Sequence, residues 1–353
     1  MKQLDRYIGK TVLSSCLVVM LTITGLDSLF AFIAELEDVS SNYPLTSATV
    51  YTLLTVPRRL IEYMPMSIMV GSLVGLGVLA NGSELTVMRA AGISKYRILG
   101  SVMIPVLLLV LVSGVIGEYV APKTEQAAIA KRAAVFGGTR AIGTKHGIWH
   151  REGKWFLHIN AVKPDGNLLG VTLYEFNEQE ELASAGFAQQ VDYLNDNWVL
   201  KNFRITYFEE NRTRVALFNE QIWSVSLEPE LLSVLSVLPD NMSMRGLYRY
   251  SQYIEEQEID ASPYVLAFWK KFFLPLGIFA LVLVAISSVF GSLRSVTMGQ
   301  RIMVGVMIGI VFKIFQDLLG PASTVYGFSP LISALMPIFI CFVAGSWLLR
   351  RSG

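Results

Sequence analysis

Six stretches of this chain are long and apolar enough to cross a bilayer, which constrains its fold more than anything else in the sequence. A helix needs about 20 predominantly apolar residues to span roughly 30 Å of hydrocarbon. Stretches at 12 to 34, 57 to 80, 98 to 119, 268 to 290, 302 to 320 and 329 to 349 meet that length. The composition agrees, with 53% hydrophobic and 16% charged residues against about 25% charged in an ordinary soluble domain. The first stretch runs apolar from Thr11 to Ala34 with no convincing small-residue cleavage site. It exceeds the core of about 7 to 15 residues of a cleavable signal peptide, so it is expected to persist as a membrane helix.

Lys and Arg in the short connections set orientation. On one side fall Lys2, Arg6 and Lys10, then Arg89, Lys95 and Arg97, then Arg294 and Arg301, then Arg350 and Arg351. The opposite connections carry Glu35, Glu37 and Asp38 without a cation, or, at 321 to 328, no charge at all. Both termini are therefore expected in the cytoplasm, and the long insert between helices three and four on the outer side. Arg58 and Arg59 fit less well at the outer mouth of helix two, where they can snorkel outward or pair with Glu62.

The insert, 121–267, holds 14 of the 29 Lys+Arg and 19 of the 28 Asp+Glu residues, leaving few charges for the flanks. Short runs rich in Val, Ile, Tyr, Phe and Trp, such as 154 to 159, 170 to 176 and 198 to 208, alternate with turn chemistry at 163 to 167 and 195 to 197, which is the signal of an all-β unit. Six to eight strands over such a length suggest a sandwich or jelly roll. Ser243 to Asp260 reads as an amphipathic surface helix ending in Glu255, Glu256 and Glu258. The expected organisation is 1–120 for helices one to three, 121–267 for the β-domain with its following helix, and 268–353 for helices four to six.

Signs of catalysis are weak. Gly9-Lys10-Thr11 has Leu4 where a phosphate-binding loop needs its first Gly, and a membrane helix follows it. Cys16 and Cys341 both lie in apolar stretches, which excludes a disulfide framework and a Cys-based metal site. His146, His150 and His158 lack a metal-binding pattern and are expected on strands. There is no nucleophile elbow, so no catalytic residue is assigned. A net charge of +1 argues against nucleic acid as a partner.

Ionisable groups at membrane depth are functional candidates by default. Asp27, Lys313 and Asp317 qualify; the last two are four apart on one helix and can pair. Either they form structural pairs, or they line a polar cavity and carry protons. Gly71 and Gly75, and again Gly305 and Gly309, have the spacing that lets helices approach closely. The connection from Asn81 to Ser94 reads as a short helix, with Asn81 as its cap, Glu84 reaching back and Gly92 as its stop. Leu85, Met88 and Ala91 share one face. An exposed apolar face on such a helix can dock into a groove on a cytoplasmic partner or lie in the headgroup layer.

Several segments resemble the LptF/LptG permease subunits of the lipopolysaccharide-export ABC transporter, most nearly the LptG type. They are 4 to 10, 83 to 92, 117 to 122 (Gly117-Glu-Tyr-Val-Ala-Pro122), 290 to 299 and 317 to 321 (Asp317-Leu-Leu-Gly-Pro321). The resemblance covers essentially the whole chain in order. It implies a Gram-negative inner-membrane protein with six helices and a periplasmic β-jelly-roll domain. Its partners would be an LptF-type permease, an LptB-type ATPase dimer, an LptC-type single-span subunit and, indirectly, a periplasmic bridge protein. Ser83, Glu84, Leu85, Met88 and Arg89 would then form the coupling helix.

The resemblance also implies sideways extraction of lipopolysaccharide from the outer leaflet through gates at helices one and five, driven by ATP and Mg in the partner, with no cofactor in this chain. By position, Asp27, Phe30, Arg58, Arg59, Glu62, Lys271, Lys313 and Asp317 are candidates for the cavity or gate. The acidic Glu35, Glu37 and Asp38 stand where cations for lipid phosphates are expected, so the partner permease, bridging divalent ions, or Arg58, Arg59 and Lys271 would have to supply the positive charge. A proton-coupled transporter using Asp27, Lys313 and Asp317, and a non-transporting scaffold with a periplasmic β-domain, are the alternatives.

Overall fold

The computed structural model describes residues 2–40, 43–136, 148–162, 167–177, 181–194, 197–209, 212–223, 239–256, 261–290 and 297–351. The helices within them are α1 (Lys2–Leu36), α2 (Leu45–Asn81), α3 (Glu84–Ala90), α4 (Lys95–Val115), α5 (Ala121–Phe136), α6 (Met244–Glu256), α7 (Ser262–Phe290), α8 (Met298–Tyr326) and α9 (Pro330–Arg351). A π-turn, Ile116–Val120, joins α4 to α5. Among the described residues, six helical runs are long and apolar enough to span a bilayer: α1, α2, α4 continued through the π-turn, α7, α8 and α9. They coincide with the six apolar stretches and extend beyond them, because helical hydrogen bonding does not stop at the hydrocarbon boundary.

The π-turn has a covalent cause. Pro122 lacks the N–H that would close an α-turn onto the Glu118 carbonyl, and a wider turn absorbs the missing bond.

By contact the chain divides into two compact units. The first comprises Met1–Leu29, Pro57–Glu118 and Ser243–Gly353, and the second Phe30–Val56 and Tyr119–Met242. Helix α6 thus belongs with the membrane helices, and the second unit takes in the α1–α2 connection as well as the β insert.

In the first unit a continuous core joins Val12 and Cys16 of α1, Met69 and Leu73 of α2, Val102 of α4, Leu281 and Ile286 of α7, Phe312 of α8 and Ile338 of α9. Lipid is as apolar as Leu, so burial alone gives these helices little reason to associate, and close packing must contribute. The paired glycines provide it. A methyl group added at Gly75 would lie 2.9 Å from Val12 Cα, and one at Gly71 would strike the Cys16 backbone. Likewise, a methyl at Gly309 would come within 2.8 Å of Met66 Cγ.

The second unit is built on a six-stranded sheet of β1 (Ile148–Glu152), β2 (Trp155–Val162), β3 (Leu168–Phe176), β4 (Leu182–Leu194), β5 (Asn197–Glu209) and β6 (Arg212–Trp223), in consecutive order and antiparallel throughout. Helix α5 lies against β2 and β3. The expected all-β unit is therefore present as a meander. Residues 137–147, with His146 among them, the turn at 163–166 and residues 224–238 lie outside the described residues.

One rung of this sheet breaks the period of two. Core residues fall three apart at Leu168 and Val171 on β3, at Ala188 and Val191 on β4, and at Leu200 and Phe203 on β5. The register is nonetheless unchanged across the break, with Val171 opposite Ala188 and Leu168 opposite Val191. Between these rows lie Asn160, Gly170, Gln189 and Asn202. Gly170 and Asn202 take φ of +63° and +51°, the left-handed conformation that Gly and Asn tolerate best. Asn202 Nδ2 donates to Gln189 Oε1 at 3.4 Å. The strands thus exchange faces together at this line.

Candidate functional site

The short helix α3 forms where expected, but it is held differently. Ser83 precedes it at φ 60° without a side-chain cap, while Asn81 belongs to the end of α2. The C-terminus closes in a Schellman arrangement: Ile93 N–H donates to the Met88 carbonyl at 3.1 Å and Gly92 N–H to that of Arg89 at 3.0 Å, with Gly92 at φ +86°. Glu84 does not complete a capping box; its Oε1 accepts from the Tyr7 hydroxyl of α1 at 3.2 Å.

The apolar face expected to be open is closed. Leu85 and Met88 are 4% and 8% exposed and form part of the membrane-helix core. A pattern of Leu and Met three apart says that one side of a helix is buried, not against what, and here the chain's own helices cover it. Ser83, Thr86, Val87 and Arg89 remain exposed, with Val87 at 66%.

Arg301 is another departure. Read as a flanking cation, it is instead 2% exposed. Its Nη1 donates to the Gly77 carbonyl at 3.1 Å and to Asn81 Oδ1 at 3.3 Å, both at the end of α2. Nearby, Lys95 Nζ donates to the Leu349 carbonyl at 2.8 Å, near the C-terminus of α9 where a cation is favoured.

The ionisable groups at membrane depth sort into two sets. Asp27 forms an ion pair with Arg59 and accepts from the Tyr63 hydroxyl at 2.8 Å. Glu62 accepts from Arg58 and from Lys313, each at 3.2 Å, and Lys313 also lies 3.7 Å from Asp317. The first set is the more enclosed, with Arg59 and Asp27 side chains 15% and 25% exposed against 46% for Lys313 and 56% for Asp317. Each set is balanced in charge, so the two arginines proposed to meet lipid phosphates already have carboxylates of their own. Lys271 lies half-buried on α7 and is engaged by other groups, while Phe30 is 67% exposed on α1.

The acidic cluster beyond helix one is likewise occupied. Glu35 is buried, accepts from the Tyr43 hydroxyl at 2.8 Å and lies 3.3 Å from Arg132, which also pairs with Asp38. Arg132 in turn stacks 5.2 Å over the Tyr51 ring. These carboxylates hold the α1–α2 connection against α5. Tyr7, Tyr63, Arg132 and Arg301 were not legible as site residues, because each meets its partner across a long sequence separation.

On the sheet, the His158 ring lies 4.7 Å from that of Trp149, tilted by 46°, and Trp149 stacks on Tyr174 at 6.1 Å. Burial holds the His158 pKa below its ordinary value.

Six membrane-length helices among the described residues, an insertion built on a six-stranded sheet between the third and fourth, and a short helix tucked between the second and third are the architecture of a multi-pass membrane protein. The family model described as lipopolysaccharide export system permease LptF/LptG matches residues 6–351, and the chain belongs to that family. It is 34% identical over 351 residues to the lipopolysaccharide export system permease protein LptG of Haemophilus influenzae, and 35% identical over 352 residues to that of Escherichia coli K12. Each comparison covers 99% of this chain and 98% of the relative.

Proposed function

We propose that this chain is one of two permease subunits of an ABC exporter that withdraws lipopolysaccharide from the outer leaflet of the inner membrane and passes it through a periplasmic β-domain toward the outer membrane. An LptF-type permease pairs with it. An LptB-type ATPase dimer docks at α3 and hydrolyses ATP with Mg, so this chain needs neither cofactor nor catalytic group of its own. An LptC-type single-span subunit receives the lipid, and a periplasmic bridge protein takes it onward.

The observation that carries this reading, beyond family membership, is the uneven burial of the spans. In their most apolar windows α2 and α7 are 67% buried, whereas α1 and α8 are 17% buried. These are the first and fifth spans, and they present Val18, Leu21 and Leu29 on α1 and Met303, Met307 and Val311 on α8 as open apolar faces. Such faces suit a second permease and the acyl chains between them. Exposing a chain to water costs about 0.8 kcal/mol per CH₂, so the path must stay apolar. The balanced ion sets favour a structural part for Asp27, Lys313 and Asp317, and with it an ATP-driven mechanism over a proton relay.

The test is a gentle-detergent pull-down of the chain from its native membrane with mass spectrometry of the retained proteins. Recovery of an ABC ATPase and a second six-span subunit is expected. Isolation without any ATPase would overturn the reading.

A further inference from the structure

Glu118 stands in the segment Gly117 to Pro122, which export by itself does not explain. It sits on the π-turn that Pro122 imposes, and its carboxylate reaches 126 residues along the chain to α6. Oε2 accepts from the Met244 N–H at 2.8 Å, Oε1 accepts from the Arg245 N–H at 3.3 Å, and the Arg245 guanidinium lies 3.9 Å away. Ser243 Oγ accepts from Gly246 N–H at 3.0 Å. The first three N–H groups of α6, which no helix can satisfy internally, thus have acceptors, and two of the three bonds go to one carboxylate. A negative charge is favoured there by the helix dipole as well.

The position of this clasp matters more than its strength. The chain leaves the first unit immediately after Glu118 and returns to it at Ser243. Glu118 therefore ties together two of the four places where the chain crosses between units, the pair that flanks the β insert, on the membrane-helix side of both. The body of α6 is fixed in turn to α7: Leu247 is fully buried, the Tyr250 and Tyr264 rings meet at 4.6 Å, and Tyr248 lies 6.2 Å from Phe268. On the far side of the crossings, the turn Pro239–Asn241 packs on α5.

We infer that Glu118 is a positioning residue for export: it makes the two crossings that flank the β insert one attachment, so that movement of α4 and α7 is delivered to the insert instead of being lost in two independently bending connections. Left separate, these two connections can bend independently of one another, whatever α1 and α2 do at the other two crossings. Joined by a carboxylate bonded to two helix amides, they resist such bending, since charge-assisted bonds are roughly twice as strong as neutral ones.

The inference rests on the export reading, and its test separates the two. Spin labels are placed at Val87 and Leu217, exposed by 66% and 76%, in full-length protein with Cys16 and Cys341 replaced by Ala. Their distance distribution is then compared for the parent, Glu118→Gln and Glu118→Ala. Glu118→Gln keeps the size of the side chain and safeguards the result if Glu118→Ala folds poorly. Both variants are expected to broaden the distribution, Glu118→Ala the more. In the reconstituted exporter, lipopolysaccharide crosslinked to the β-unit per ATP hydrolysed is expected to fall about tenfold for Glu118→Ala, the scale of losing a charge-assisted bond, with ATPase recovery unchanged. Unchanged widths in both variants would overturn the clasp. Broadened widths with unchanged lipid per ATP, or lipid delivery and ATPase recovery falling together, would overturn the coupling role. If the parent delivers no lipid, the export reading fails while the distance measurement still judges the clasp.

Discussion

Arg301 of α8 bonds to Asn81 at the end of α2, 220 residues away, from a position 2% exposed to solvent. Asn81 is followed after two residues by α3, so the guanidinium fixes one end of the short helix through the span before it. Replacing Arg301 with Leu leaves the Asn81 oxygen without this donor, a loss of about 1 to 3 kcal/mol. The melting midpoint of purified protein in detergent should fall by about 2 to 6 °C. Arg301→Lys should recover only part of this, because an ammonium cannot reproduce the planar fork. An unchanged midpoint for Arg301→Leu would refute the assignment.

The two faces of α3 should respond oppositely. Leu85→Ala opens a cavity in the bundle and should cost about 2 to 4 kcal/mol of stability, seen as a lower melting midpoint. Val87→Asp, on the exposed face, should leave the midpoint within error and reduce the ATPase recovered in a pull-down. The reverse pattern would mean that the partner meets Leu85 after all.

Two glycine substitutions form a matched pair. Gly71→Ala forces a methyl into the Cys16 backbone and should destabilise by about 1 to 3 kcal/mol, the usual scale of overpacking. Gly100→Ala on α4 meets nothing within 4 Å and should be neutral or stabilising by about 0.5 to 1 kcal/mol, since Ala favours the helix. Thermal melts of both variants in one detergent decide it.

His158 gives the β-unit a dependence on pH. Burial lowers its folded pKa, so between that value and the ordinary pKa of about 6.5 the unfolded chain binds the proton more readily. Stability should therefore rise with pH through this window and be lost as pH falls through it. The slope should stay below about 1.4 kcal/mol per pH unit, the limit for one proton. His158→Gln should flatten denaturant midpoints measured between pH 5 and pH 7, followed by tryptophan fluorescence; an unaltered slope would assign the titration elsewhere.

Enclosed ion pairs predict non-additivity. Asp27→Asn and Arg59→Met each remove one half of the same ion pair, so the double variant should lose less stability than the two single losses combined, by about 1 to 2 kcal/mol. Additive losses would show that the pair does not interact. Asp27→Asn with Asp317→Asn should also retain ATP-dependent export, which a proton relay would not survive.

The spans were legible because 20 apolar residues have few other uses, and strands β2, β3 and β5 because alternation survives in any context that buries one face. The glycine pairs announced close helix approach by spacing alone. What escaped the sequence was direction and distance. Leu85 and Met88 look the same whether a helix faces its own bundle or a partner. Arg301 obeys the flanking-charge rule by position, yet Asn81 draws it inward. Asp27 needed a partner that spacing could not name, and Arg59 lies 32 residues on. Glu118 is silent without its distant amides, although Pro122 beside it was a sign that the helix must widen there.

The line through Asn160, Gly170, Gln189 and Asn202 limits how this sheet can vary. Neighbouring strands change face at the same rung, so adding or deleting one residue on either side of it in a single strand would put that strand's apolar side chains on the wrong surface while its neighbours kept theirs. Changes of length are tolerated in steps of two or at the turns. Over long divergence, such a sheet should drift freely in composition while holding its strand lengths nearly constant.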